Sequence, residues 1–216
     1  MNVMTRLFAT LLAAASLAVN PAFASVDEDV AKLQHEWERV KYQMPAADQE
    51  REFGRLVGEA EKAIARNPNR AEVLIWHGII EASQAGAKGG LGALSLVKDA
   101  KKSFERALEI NPDALAGSAY TSLGSLYYQV PGWPLGFGDD KKAQELLKKG
   151  LTVNPDGIDP NYFYGDFLYR SGDLDNAEKA LRKALAAPAR PGRKLADEGR
   201  RKEINQLLEK IAEKRR

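Results

Sequence analysis

Three stretches of the sequence share one spacing, and that spacing decides the fold: AKKSFERALEINPD at 100–113, AQELLKKGLTVNPD at 143–156 and AEKALRKALAAPAR at 177–190. Each begins with an alanine that precedes a proline by eleven or twelve residues. Apolar or small residues recur at the first, fifth, eighth and ninth positions, which is typical of a helix with one buried face. Each stretch therefore predicts a helix that ends before the proline.

Small residues occupy corresponding places in these helices and in the helices predicted before them. Ala107, Gly150 and Ala184 share one position of the three stretches, where a bulkier side chain would overpack at a cost of about 1–3 kcal/mol. The preceding helices carry Gly78, Gly124 and Gly165. Because glycine in a helix costs about 1 kcal/mol relative to alanine, its presence at three corresponding places predicts close contact between paired helices. The predicted repeating unit is a helical hairpin.

This order of residues resembles the tetratricopeptide repeat family. Its 34-residue helix-turn-helix unit places an aromatic residue, a Leu-Gly pair and a second aromatic residue before Ala, Phe, Ala and Pro. The first repeat departs from the pattern, with His77 before its glycine and Glu81 in place of the second aromatic residue. The positions that carry the resemblance are Gly78, Ala100, Ala107, Tyr120, Gly124, Tyr127, Ala143, Gly150, Gly165, Ala177 and Ala184. The resemblance implies an all-α fold, a solenoid of stacked hairpins.

The domain organisation follows from the position of the repeats. Residues 70–192 hold the three repeats, and residues 25–69 predict a helical pair that is either a degenerate repeat or an N-terminal cap. Residues 193–216 predict a C-terminal capping helix that covers the last repeat with an apolar face, formed by Ile204, Leu207, Leu208 and Ile211. We expect Asn111 and Asn154 to adopt the left-handed conformation where their helices end.

The first two repeats carry insertions between their paired helices. The glycine of the first helix precedes the alanine of the second by 22 and 19 residues there, against 12 in the third repeat. These insertions, near 86–98 and 129–140, are expected to be loops on the same edge of the solenoid. Their large apolar residues either form a small satellite core or line a binding pocket. Those residues are Leu91, Leu94, Leu96, Val97, Val130, Trp133, Leu135 and Phe137.

An aromatic stretch at 162–169 supplies further candidates. Phe163 and Phe167 share one helix face and are expected in the core, whereas Tyr162 and Tyr169 share another face, which either packs in the core or lines the concave groove. The candidates for partner or ligand binding are therefore Trp133, Leu135, Phe137, Leu91, Leu94, Tyr162 and Tyr169.

Signals for catalysis or metal binding are weak. The sequence has two histidines and no cysteine, and it contains neither a Gly-x-Ser-x-Gly nor an HExxH motif. His77 is interpreted as a packed or half-exposed helix residue, and the following residues as helix caps or turns: Asp139, Asp140, Asp156, Asp159 and Asn161. A basic group is interpreted as part of a solvated cap, namely Arg190, Arg193, Lys194, Arg200, Arg201 and Lys202. The sequence thus predicts a protein without enzymatic activity and without a bound metal or cofactor.

Residues 1–24 have the features of a secretory signal peptide, with one positive charge at Arg6, a short apolar run and a cleavage site after Ala24. Cleavage leaves 192 residues with a net charge of +1, which disfavours a nucleic-acid binder. Because no cysteine is present for lipid attachment or disulfides, the mature protein is expected to be exported without a membrane anchor.

The two insertions and the C-terminal segments NPDGIDPNYFYGDFLY and PARPGRKLADEGRR are similar to those of periplasmic proteins grouped as TatT components of TRAP transporters. This resemblance covers roughly residues 50–210, and the missing lipid-attachment cysteine departs from it. It implies a periplasmic protein that accompanies a substrate-binding protein. The predicted function is a non-catalytic adaptor for a protein partner, and the alternative is an accessory that binds a small apolar ligand for uptake.

Overall fold

The computed structural model describes residues 25–216 and contains helices but no strand within that range. The predicted signal peptide, residues 1–24, lies outside the described residues. The helices are α1 Val26–Gln43, α2 Ala46–Arg66, α3 Ala71–Lys88, α4 Ala93–Ile110, α5 Ala114–Gln129, α6 Asp140–Val153, α7 Ile158–Arg170, α8 Leu174–Leu185 and α9 Lys194–Lys214. Within this part of the chain, every helix is too short or too polar to cross a membrane.

The helices stack as antiparallel hairpins. The pairs α3/α4, α5/α6 and α7/α8 form the three predicted repeats, and α1 and α2 form a further pair that packs on α3. The first helices of successive pairs, α1, α3, α5 and α7, also contact one another, so they form the inner, concave layer. The predicted all-helical solenoid of hairpins is confirmed.

Three glycines of the inner layer lie against a buried side chain of the paired outer helix. The pairs are Gly78 with Phe104, Gly124 with Leu147, and Gly165 with Leu181. A Cβ added to any of these glycines would lie 2.8–2.9 Å from a side-chain carbon, closer than van der Waals contact. The alanines of the outer helices at these crossings are fully buried, so the helices meet with little side-chain volume between them.

The prediction that two asparagines end their helices in the left-handed conformation is wrong. Asn111 and Asn154 have φ angles of −154° and −135°, so neither is left-handed, and Asn111 lies in the extended region. Each asparagine precedes a proline, whose ring pushes the preceding residue towards extended backbone. A left-handed turn follows instead at the start of α5, where Leu115, Ala116 and Gly117 have φ angles of 49°, 53° and 71°.

The first insertion is helical rather than a loop over most of its length. α3 continues to Lys88 and α4 starts at Ala93, so the connection between them is confined to residues 89–92. Both helices have 18 residues, against 13 and 12 in the pair α7/α8. The inserted residues include Ala, Leu and Lys, which favour helix, and they therefore lengthen the two helices. The second insertion remains a loop from Val130 to Asp139, because its prolines and glycines oppose helix formation.

The C-terminal helix closes the solenoid on itself. The middle and end of α9 cover the last repeat, where Ile204, Leu207 and Ile211 are buried in the same core as α7 and α8. The start of α9 instead packs on α1, and Ala196 belongs to the N-terminal core that contains Trp37. The first and last helices are thus in contact, and the described residues form a ring around a central cavity.

Candidate binding site inside the helical ring

The concave face of the ring encloses a cavity of about 1530 Å³. This exceeds the roughly 300–1,000 Å³ that is usual for small-ligand pockets, so it has room for a long molecule. Much of its wall is apolar, with the large residues Trp37, Phe53, Trp76, Ile79, Leu94 and Leu126. The left-handed turn at Leu115 and Ala116 also faces this space.

An ion-pair network forms the C-terminal wall of the cavity. The carboxylate of Asp159 accepts hydrogen bonds from Arg190 Nη1 at 2.6 Å and from Arg200 Nε at 2.8 Å. Burial acts to raise the pKa of Asp159, but the charges of Arg200 and Arg190 outweigh it and hold the pKa at about 2. The Arg200 guanidinium lies 4.2 Å from the ring centre of Tyr162, which places that tyrosine in the same wall.

A second ion pair joins α9 to α1. Glu38 Oε2 accepts hydrogen bonds from Arg193 Nε at 3.4 Å and from the backbone N–H of Ala196 at 3.2 Å. The Arg193 guanidinium also lies over the ring of Trp76, 5.1 Å from its centre. Glu38 is buried, so these bonds compensate a charge that would otherwise be costly.

The interpretation of the basic group as a solvated cap is wrong for several of its members. Arg200 is buried, and Arg190 and Arg193 line the cavity. Arg201 donates to the backbone carbonyls of Leu185 and Ala187 near the end of α8. These side chains turn inward because carboxylates and carbonyl groups from other helices lie within hydrogen-bond distance.

The second insertion folds back on itself through backbone hydrogen bonds. Gly138 N donates to Pro131 O at 3.0 Å, and Asp139 N donates to Tyr127 O at 2.8 Å. Phe137 packs against the buried ring of Tyr127, with 5.4 Å between ring centres. The loop exposes its other two large apolar side chains, because Trp133 is 90% and Leu135 is 61% exposed.

The large apolar residues of the two insertions divide between the core and the cavity rim, because Val97 and Val130 are buried in the core and Leu94, Leu96 and Phe137 pack against it. Leu94 and Val97 line the cavity together with Val130 and Leu135, whereas Leu91 at the rim is 77% exposed. Because the connection at 89–92 has only four residues, it leaves too little chain to cover the second loop. Leu91, Trp133 and Leu135 are therefore the exposed large apolar side chains of the two connections, and we refer to them as the exposed apolar rim.

The aromatic residues of α7 divide differently from the expectation. Phe167 is buried in the core as expected, whereas Phe163 is half-buried, packs against the same core and also lines the cavity beside Tyr162. Tyr169 lies outside the cavity wall, where Lys214 Nζ is 4.0 Å from its ring centre. Tyr162 and Tyr169 thus have separate environments.

A buried polar cluster lies between α3 and α4. His77 Nδ1 is 2.9 Å from Ser103 Oγ and 3.3 Å from Glu81 Oε2. Burial lowers the pKa of His77 and raises that of Glu81 to about 7. Ser103 and Glu81 both approach Nδ1 of His77. In a catalytic triad the serine and the acid contact opposite nitrogens of the histidine ring, so these three residues do not have the geometry of a triad. The expectation of a packed His77 agrees with this placement, but the sequence showed no sign of its partners.

The acidic residues near helix starts have mixed roles. Asp139 accepts a hydrogen bond from Lys142 N at 3.0 Å and caps α6, and Asn161 donates to the carbonyls of Pro155 and Gly157, as turn residues do. Asp159 differs from the expectation because it is part of the arginine network. Within residues 25–216, no group of three or more His, Cys, Asp or Glu residues is arranged to hold a metal ion.

Comparison with known proteins supports the fold. A family model described as tetratricopeptide repeat matches residues 158–189, which comprise α7 and α8. The crystal structure of a thermophilic TPR protein from Thermus thermophilus is 22% identical, with a TM-score of 0.55, and the match covers 82% of this chain and 80% of that one.

A crystal structure of MamA is 21% identical over 76% of this chain and 89% of its own, with a TM-score of 0.44, too low to indicate a common arrangement of helices. No curated protein sequence matches the chain. The described residues have the fold of a tetratricopeptide-repeat solenoid, and residues 158–189 form a tetratricopeptide repeat.

Proposed function

We propose that the protein is a non-catalytic binding protein whose central cavity takes an apolar ligand. The observation that carries this proposal is the contact between α9 and α1, which turns the open groove of a solenoid into a partly enclosed space of about 1530 Å³. An enclosed space with aromatic and aliphatic walls removes a ligand from water, and apolar burial contributes about 25 cal/mol per Å².

Native mass spectrometry of the protein isolated gently from its own cells tests this proposal. We expect an additional mass in the small-molecule range that is lost on collisional activation. The control variant is Ser122→Trp, which adds an indole at a half-buried position of the cavity wall and should exclude the ligand. A wild-type protein without bound mass, whose melting temperature also does not respond to 1-dodecanol, contradicts the proposal.

A second candidate function is contact with a protein partner through the exposed apolar rim, which agrees with the usual role of tetratricopeptide repeats. The observation that favours it is the exposure of Leu91, Trp133 and Leu135 on adjacent connections. Large exposed apolar side chains in a cluster often mark an interaction site. Phe137 has a different role in this proposal, because it holds the loop against Tyr127 instead of contacting the partner.

Substitution in the rim separates the two roles. Trp133→Ser should weaken capture of a purified partner at least tenfold while the melting temperature stays unchanged, because the indole is 90% exposed. Phe137→Ala is the comparison variant and should lower the melting temperature. Equal capture by wild type and Trp133→Ser argues against a contact through the rim.

The setting that we propose is the periplasm, as an accessory of a TRAP-type uptake system whose substrate-binding protein would be the partner. The support comes from the signal-peptide pattern and from the resemblance to TatT components. Ser25, the first residue after the proposed cleavage site, caps α1 through a hydrogen bond from Glu28 N at 3.2 Å. N-terminal sequencing of the protein from the periplasmic fraction should begin at Ser25; an intact N-terminus in the cytoplasmic fraction contradicts this.

A further inference from the structure

The guanidinium of Arg193 lies in the cavity wall with most of its hydrogen-bonding capacity unused. Its side chain is 13% exposed, and its Nε donates to Glu38 Oε2 over a long 3.4 Å. Four of the five N–H donors of an arginine belong to its Nη atoms. Neither Nη atom of Arg193 has a hydrogen-bond partner among residues 25–216.

The two neighbouring arginines are held by more and shorter hydrogen bonds. Arg190 donates to Asp197 from Nε at 2.7 Å and to Asp159 from Nη1 at 2.6 Å. Arg200 donates to Asp159 from Nε at 2.8 Å and to Glu203 from Nη1 at 2.6 Å. These short bonds to carboxylates fix both guanidinium groups within the C-terminal wall, whereas Arg193 makes a single long bond and is the least constrained of the three.

The electrostatic surroundings of Arg193 favour an additional negative charge. Burial and the positive charge of Arg190 lower the pKa of Arg193, and the carboxylates of Glu38 and Asp159 compensate this only in part. Trp76, whose ring lies under the guanidinium, has a buried Nε1 without a hydrogen-bond partner in the described residues. The same wall continues into the apolar side chains of Trp37 and Ile79.

We infer that Arg193 binds the anionic head group of an amphipathic ligand, a long-chain carboxylate, whose apolar chain occupies the cavity. The planar guanidinium can donate two parallel hydrogen bonds to a carboxylate, and such bonds are strong where water is excluded. The inference rests on the proposed function, that the cavity takes an apolar ligand, and adds the chemical class of that ligand.

Calorimetric titration with dodecanoate and with 1-dodecanol tests the inference, because the two probes share a chain and differ in the charge of the head group. Wild-type protein should bind dodecanoate at least tenfold more tightly. Arg193→Met should remove this preference and keep the affinity for dodecanol. Glu38→Gln, which removes the competing carboxylate, should increase the preference, and Lys194→Met, at an 88% exposed cation outside the cavity lining, should leave it unchanged.

The outcomes distinguish the inference from the proposed function. If dodecanol binds as tightly as dodecanoate and Arg193→Met changes neither, the inference is wrong and the cavity is still a binding site. If neither probe binds, both are wrong. Should Arg193→Met fail to fold, Arg193→Lys and Glu38→Gln test the inference instead. A lysine keeps the positive charge but cannot donate two parallel hydrogen bonds from a planar group, so Arg193→Lys should retain only part of the preference for dodecanoate.

Discussion

The repeat hairpins and the closure between α9 and α1 hold the ring together by different means. In the hairpins, glycines and alanines bring helices close enough for Phe104, Leu147 and Leu181 to fill the space. In the closure, Glu38 meets Arg193, which is 155 residues away. The first contact is apolar and recurs in every repeat, whereas the second includes ion pairs and joins only α9 and α1. A solenoid fold therefore sets the neighbours of each hairpin, and a separate set of charged and apolar contacts closes the ring.

The largest expected effect comes from breaking a hairpin. Leu147 is fully buried against Gly124, so Leu147→Ala should lower the free energy of unfolding by about 2–5 kcal/mol through lost burial and a cavity. Urea denaturation measures this change. Leu91→Ala, at a residue that is 77% exposed, is the control and should change stability by less than about 0.5 kcal/mol. Similar losses for both variants would mean that hairpin packing does not dominate stability.

A buried charge inside the first hairpin is an exception to its apolar packing. Burial raises the pKa of Glu81 from 4.5 to about 7, helped by Asp99 and Glu61 and opposed by Ser103 and Lys102. Between these two pKa values the folded protein holds a proton that the unfolded chain has lost, so the contribution of Glu81 to stability falls as pH rises through this window. Above pH 7 the buried Glu81 carboxylate is charged, and the loss of folding stability caused by burying this charge has reached its full value.

Glu81→Gln should therefore stabilise the protein at pH 8, by up to about 3 kcal/mol, and have little effect at pH 4.5. The adjacent His77, whose pKa is lowered, is neutral at pH 8 in both proteins. Urea denaturation at the two pH values measures the difference, with Glu209→Gln, at an exposed glutamate, as the control. An equal effect of Glu81→Gln at both pH values rules out titration of this group as the cause.

The ion-pair network around Asp159, which joins α7 to α9 in the C-terminal wall, should show the opposite dependence on pH. The pKa of Asp159 is lowered from 3.8 to about 2, so its contribution is complete above pH 4 and is lost as pH falls through about 2. Asp159→Asn should cost about 1–2 kcal/mol at pH 7, allowing for the partial exposure of the carboxylate, and much less at pH 2, where the folded-state carboxyl is about half protonated. Thermal melts measure this, and Asp175→Asn, at an 83% exposed partner of Arg215, should have little effect at either pH. A cost that persists undiminished at pH 2 shows that Asp159 acts through packing.

The contrast between the two regions explains what the sequence could predict. The hairpins were predictable because each leaves a repeated pattern of Ala, Gly and Pro within about 40 residues. The closure left no such pattern, since nothing near Arg193 or Glu38 indicates that they meet. At the rim, the composition of the loop did not show that Phe137 turns inward and Trp133 outward, because the backbone hydrogen bonds of the loop decide this. Local spacing therefore predicts neighbours along the solenoid, but not contacts across it.

The smallest expected effect tests the close packing of the hairpins at one atom. Gly124→Ala places a methyl group 2.9 Å from Leu147 Cγ, whereas Gly58→Ala in α2 meets no other atom within 4 Å. Both changes gain about 1 kcal/mol of helix propensity, but only the first must also overpack, at about 1–3 kcal/mol. Urea denaturation should therefore show Gly58→Ala to be more stable than wild type and Gly124→Ala to be less stable by about 1 kcal/mol. If both variants gain stability equally, the side chain of Leu147 moves aside without cost. In that case the glycines of the inner helices are not required for the close helix contacts of the repeats.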